Sequence, residues 1–171
     1  LISSLFKRDD VVIASKAGVN LNEGARRINA TRQFLIADLD RTLERLGTDF
    51  VDLWQISNWD ELTPIDETLS ALDYAYTSGR ARYVGVSNYT GWQIARAATK
   101  QQTNAMRAPI TCAQNEYSLL NRIAENEILD ATQECGLGFI AWAPLARGVL
   151  TGKYRKGIPS DSRAAAPHFA R

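Results

Sequence analysis

A chain of 171 residues, 45% hydrophobic and 23% charged, has the composition of a globular domain and excludes a disordered, collagenous or disulfide-stapled chain. A net charge of +1 gives no lead toward nucleic acid, and no apolar run approaches the roughly 20 residues that a membrane span needs. Neither partner is expected. The charge is uneven, because residues 147–171 carry six basic groups against one acidic group. Cys112 and Cys135 stand in no metal or redox spacing, and the single histidine, His168, cannot complete a His/Cys zinc site with them. Two buried thiols in a reducing, cytoplasmic compartment are the expectation, with no metal. Both ends read as cut, LISSLF as the end of a helix and AAAPHFAR as an unstructured tail.

Five β-branched or aromatic runs mark strands: VVIAS (11–15), VDLWQI (51–56), ARYVGV (81–86), ITCAQN (110–115) and GFIAWA (138–143). Helical patterns fill the gaps. Phe34, Leu35, Leu39, Leu43 and Leu46 form one apolar face of a helix that stops at Gly47. Thr63-Pro64-Ile65-Asp66 reads as an N-cap, a proline at the first helical position and an acid in the first turn. Ile65, Leu69, Leu72 and Tyr76 then line that helix until Gly79. Thr90-Gly91-Trp92-Gln93 has capping-box spacing, and residues 125–135 form the last helix. Strand and helix alternate with a period near 30, and the strands are too apolar to face water. That is the pattern of parallel βαβ units. A full (β/α)8 barrel takes roughly 250 residues, so this length holds five units and a tail, or a five-stranded open sheet.

Polar residues gather where the strands end. Lys16 follows the first run, Ser57-Asn58-Trp59-Asp60 the second, Ser87-Asn88 the third and Gln114-Asn115-Glu116 the fourth, while Trp142-Ala143-Pro144 ends the fifth. One such residue is usually a turn or a cap. Five consecutive ends would converge on the rim where parallel βα folds bind ligands. Trp59 is a candidate pocket wall, whereas Trp54 alternates with apolar residues inside its strand. Tyr117 can serve as a substrate-side aromatic or as packing.

These segments, with VVIASKAG, RTLERLGTDFVDLWQI, TPIDETLSALDYAYTSGRARYVGVSNYTGWQ, AQNEYSLLNR and AWAPLARGVLTGKYRKGIPSDSRAA, resemble the aldo-keto reductases, in particular the bacterial branch similar to the potassium-channel β subunits. The resemblance covers essentially the whole chain and the middle of a normal member. It implies an α/β fold made of parallel (β/α) units of a TIM barrel, about five of eight being present, and NADPH-dependent reduction of a small-molecule aldehyde or ketone. In that family an Asp, a Tyr, a Lys and a His form the catalytic group. Tyr donates the proton, a Lys paired to the Asp lowers the Tyr pKa, and His orients the carbonyl.

Carried over by position, Lys16 is the catalytic Lys. Ser87, Asn88 and Gln114 would hydrogen-bond the nicotinamide carboxamide. Trp142, Ala143, Pro144 and Leu145 would line the nicotinamide and open the pyrophosphate path, which Gly148, Lys153 and Arg163 would continue. For Lys153 a solvated loop is an equal alternative. The resemblance places the Asp and the Tyr upstream of the first strand. Position 57, where the family has its His, holds Ser57. A hydroxyl donates a hydrogen bond but cannot become a cation, and neighbouring Asn58 could supply an amide donor instead. Two functions therefore stand open: a carbonyl reductase, possible as a homo-oligomer, or a catalytically impaired nucleotide-binding or regulatory module on the same fold.

Overall fold

The computed structural model of the chain describes residues 6–20, 27–103, 105 and 107–166. Most of LISSLF, and the end of the tail with His168, lie outside them. Five strands, β1 (Ala14–Ala17), β4 (Val51–Ile56), β5 (Ala81–Ser87), β6 (Ile110–Glu116) and β7 (Gly138–Trp142), pair in parallel in that order. A short antiparallel ladder of β2 (Val19–Asn20) and β3 (Arg27–Ile28) stands apart from this sheet. Helices α1 (Arg32–Leu46), α2 (Ile65–Thr77), α3 (Gly91–Gln102) and α4 (Ile128–Glu134) connect the five strands. An all-parallel sheet whose spatial order is its chain order is what successive barrel units give. A doubly wound sheet would reverse its order part-way. The fold is α/β, consistent with part of a TIM barrel.

The two faces of the sheet have different chemistry. Trp54, Ile56, Val84, Val86 and Ala113 are wholly buried and share one core with Leu35 and Leu39 of α1, Leu69 and Leu72 of α2, and Ile94 and Ala97 of α3. On the alternate positions Lys16, Gln55, Gly85, Cys112 and Gly138 stand side by side across all five strands. Gly85 is required there, because a Cβ would lie 2.6 Å from the Cys112 sulfur and 2.9 Å from its carbonyl oxygen. Next toward the strand ends come Ser87, Gln114 and Ile140.

Four details depart from the sequence reading. The first strand runs from Ala14 to Ala17, so Lys16 lies inside it and Val12 is exposed. The cause is Asp52, whose carboxylate accepts the Ile13 N–H at 2.8 Å and draws Arg8 to 2.7 Å, holding the approach to the strand as a loop. Thr63 does not cap α2; Pro64 occupies the cap, and the Thr63 hydroxyl donates to Asp60 at 2.7 Å. Tyr76 turns outward from the otherwise buried face of α2. The last helix breaks into a short 3-10 turn, Ile123–Glu125, and α4. The caps at Gly47 and at Thr90–Gln93 form as read.

Candidate active site

The strand ends are tied together by one side chain. Asn88 follows β5 in a left-handed conformation, φ +55°, which asparagine tolerates better than most residues. Its backbone N–H donates to the Gln114 carbonyl at 2.9 Å. Its amide nitrogen donates to the Ser57 carbonyl at 2.8 Å and lies 3.2 Å from the Ser87 hydroxyl oxygen. Its amide oxygen accepts the Trp142 indole N–H at 2.9 Å. The ends of β4, β5, β6 and β7 thus meet at Asn88.

Around this hub lie the other expected residues. Ser57 is buried, and its N–H donates to the Ala17 carbonyl at 2.8 Å, joining it to β1. Asn58 is half-buried beside it. Ser87 is 1% exposed. Gln114, paired with Ser87 in the ladder, has a buried side-chain oxygen without a hydrogen-bond partner. A buried acceptor left unpaired costs free energy, which a ligand donor would recover. Asn88 and Trp142 also border a cleft of about 230 Å³ with Tyr89, Thr90, Asn115 and Ile123, a cleft that neither Ser87 nor Gln114 lines.

One layer below, Lys16 is exposed and sits in register with Gln55. Gln55 is buried and donates to the Cys112 sulfur at 3.6 Å. Burial pushes the Cys112 thiol pKa up, against the pull of the Thr111 and Gln55 hydrogen bonds and the Lys16 charge. The thiol stays protonated at neutral pH.

After β7 the backbone is contorted. Ala143, Ala146 and Arg147 take φ of +54°, +47° and +55°, and Gly148 follows at +99°. The turn is closed by its own backbone, the Ala146 N–H donating to the Ala143 carbonyl at 2.8 Å and the Gly148 N–H to the Leu145 carbonyl at 2.9 Å. Gly148 also leaves room for Lys153, whose Cε lies 2.6 Å from the position a Cβ would take. Lys153 lies over the Tyr154 ring, 5.2 Å from its centre. Ala146, Arg147, Val149, Tyr154, Ile158 and Arg163 line a second cleft of about 360 Å³. Leu145, one residue after Pro144, is 56% exposed.

Two aromatics expected at the pocket are held by neighbours. Trp59 packs edge-on against Tyr89 and Trp92, with ring centres 5.4 and 5.2 Å apart. The Tyr117 ring meets Phe139 edge-on, and its hydroxyl donates to Glu125 at 2.6 Å, which raises the tyrosine pKa. Sequence reading passed over Asp60 as an anchor. Its carboxylate accepts the Ala30 N–H at 2.9 Å, the Thr63 hydroxyl at 2.7 Å and the Leu62 N–H at 3.0 Å, fixing the loop that carries Ser57 and Asn58. Burial opposes its charge, but the Ala30, Thr63 and Leu62 donors hold its pKa below the usual 3.8. The signal was there in the sequence: an Asp two residues before Leu62 and three before Thr63 is the spacing of an Asx turn. Among the described residues no group of three or more His, Cys, Asp or Glu could hold a metal ion.

The aldo/keto reductase family model matches residues 1–170. The chain belongs to the aldo/keto reductase family. Members of this family use NAD(P)H. The chain is 41% identical over 157 residues to the L-glyceraldehyde 3-phosphate reductase of Escherichia coli (strain K12), covering 91% of this chain and 45% of that protein. It is 36% identical over 166 residues to a probable voltage-gated potassium channel subunit beta of Oryza sativa subsp. japonica, covering 96% of this chain and 50% of that one. The aldo-keto reductase YhdN of Bacillus subtilis (strain 168) is 31% identical over 152 residues, or 89% of this chain and 44% of its own length. The chain thus spans about half the length of these aldo/keto reductase relatives. Among the described residues no helix is long and apolar enough to cross a membrane.

Proposed function

We propose that the protein is a cytoplasmic oxidoreductase that uses NADPH to reduce aldehydes or ketones to alcohols. The observation that carries this reading is the buried, unpaired Gln114 side-chain oxygen on the strand end that pairs in register with Ser87. An acceptor and a hydroxyl at adjacent strand ends fit the amide hydrogens and the carbonyl oxygen of a carboxamide. When bound, the reduced nicotinamide supplies hydride. Ser87 donates to the carboxamide oxygen, Gln114 accepts from its nitrogen, and Asn88 and Trp142 hold the strand ends that present them. Ala143, Pro144, Leu145 and Gly148 shape the path that leads to Lys153 and Arg163, whose positive charges meet the phosphates. The pyrophosphate they would meet is common to NADH and NADPH, so the choice of NADPH is carried by the resemblance to the family.

Lys16 lowers the pKa of the proton-donating tyrosine that the family places upstream, and Ser57 or Asn58 donates to the substrate carbonyl. Trp59 and Tyr117 stand on the substrate side. A second reading, a nucleotide-binding or regulatory module with impaired turnover, is favoured by Ser57 itself, a short neutral donor where the family has a histidine. The decisive experiment follows NADPH absorbance when the intact protein meets a small reactive aldehyde. Aldehyde-dependent loss of NADPH supports the reductase. Tight NADPH binding without turnover, even in Ser57→His, supports the regulatory module, and no NADPH binding contradicts both.

A further inference from the structure

Asn88 could be set with its amide oxygen and nitrogen in either of two orientations, and the neighbours decide between them. The Trp142 indole N–H can only donate, and the Ser57 carbonyl can only accept. Reversing the amide would set N–H against N–H at Trp142 and oxygen against oxygen at Ser57. The orientation is therefore dictated by chemistry on both sides. Its consequence falls on Ser87. The Asn88 amide nitrogen, 3.2 Å away, gives Ser87 Oγ a hydrogen to accept, so the hydroxyl's own hydrogen is directed elsewhere. Ser87 becomes a donor next to Gln114, an acceptor.

We propose that Trp142, through its indole N–H and the Asn88 amide, is a positioning residue that sets the donor polarity of Ser87 and so orients the nicotinamide carboxamide. The inference rests on the nicotinamide reading above. It predicts a role for the indole nitrogen that ring packing alone would not give, since a phenyl ring fills the place but donates nothing.

The test measures binding of two ligands to the intact protein by calorimetry: NADPH, and 2′-phosphoadenosine diphosphoribose, which lacks the nicotinamide. Trp142→Phe should weaken NADPH roughly tenfold, the loss expected for one buried hydrogen bond. It should leave the nicotinamide-free ligand unchanged. Asn88→Ala should show the same selectivity, and the double variant should be no weaker than the worse single one. A matching thermal melt for each variant shows that it folds. Asn88→Asp, which keeps the acceptor for Trp142 and removes the amide hydrogens, should also weaken NADPH selectively and serves if Trp142→Phe does not fold. Equal losses for both ligands, additive losses, or no loss in Trp142→Phe would overturn the proposal while leaving the cofactor reading intact. Failure of the unaltered protein to bind NADPH at all would overturn that reading and the proposal with it.

Discussion

Ser57 shows most clearly how a single residue sets the chemistry of the rim. Its N–H and its carbonyl are fixed by Ala17 and Asn88, so its side chain is carried on a rigid strand end. A preorganised donor aimed at developing oxyanion charge is typically worth about 10²–10³ in rate, and a hydroxyl at this place falls short of where an imidazole nitrogen would reach. Ser57→His should therefore raise kcat on a reactive aldehyde at least tenfold with little change in NADPH affinity. Flat turnover would mean that Asn58 already supplies the donor or that carbonyl reduction is not the reaction. Asn58→Ala separates these, because it lowers turnover only in the first case. Most of these residues were legible in the sequence, since polar residues at successive strand ends are visible in a one-dimensional pattern. The Asn88–Trp142 bond was not. It joins positions 54 apart, at the ends of β5 and β7 with β6 between them.

At the scale of elements, the strands and caps were legible where local forces decide them. The apolar run fixes β4 at residues 51–56, and the Thr90–Gln93 spacing produces the capping box of α3. Gln93→Ala should cost about 1 kcal/mol in a denaturant melt by removing the acceptor for the Thr90 N–H. The start of β1 and the cap of α2 were misread because carboxylates compete for the donors there, Asp52 from 39 residues away and Asp60 from only three. Asp52 is the stronger case. It is 7% exposed and takes the Ile13 N–H, Arg8 at 2.7 Å and Arg82 at 3.0 Å, while Arg8 and Arg82 each lie over the Phe50 ring. Burial raises its pKa, but the Ile13 donor and the two guanidiniums prevail and hold it below 3.8. A carboxylate with a lowered folded pKa adds stability that is full above its unfolded value and fades as pH falls through its folded one. Asp52→Asn should thus lower stability by about 1.5–3 kcal/mol at pH 7, and the loss should shrink as pH falls below 3.8 and through the lowered folded value. A deficit that stays constant from pH 7 through the whole acid titration would rule out the charge as its source.

For the molecule as a whole, the sheet leaves β1 and β7 at its two edges. Neither carries a central proline, and β7 runs Gly-Phe-Ile-Ala-Trp with no charge. Such edges pair readily with another chain. The 171-residue chain taken alone should self-associate, so sedimentation velocity should show a mass that rises with concentration; a sharp, concentration-independent monomer would contradict this. A closing set of strands would satisfy the same edges, as the family's barrel does. The proposed function rests on one observation, the unpaired Gln114 side-chain oxygen on the strand end paired with Ser87. Titrating NADPH into the intact protein and into Gln114→Ala tests it directly. Binding should be one-to-one and weaken about tenfold in the variant, the cost of one buried hydrogen bond, with the melting temperature unchanged. Equal affinity in the two proteins would contradict the placement of the nicotinamide at this rim.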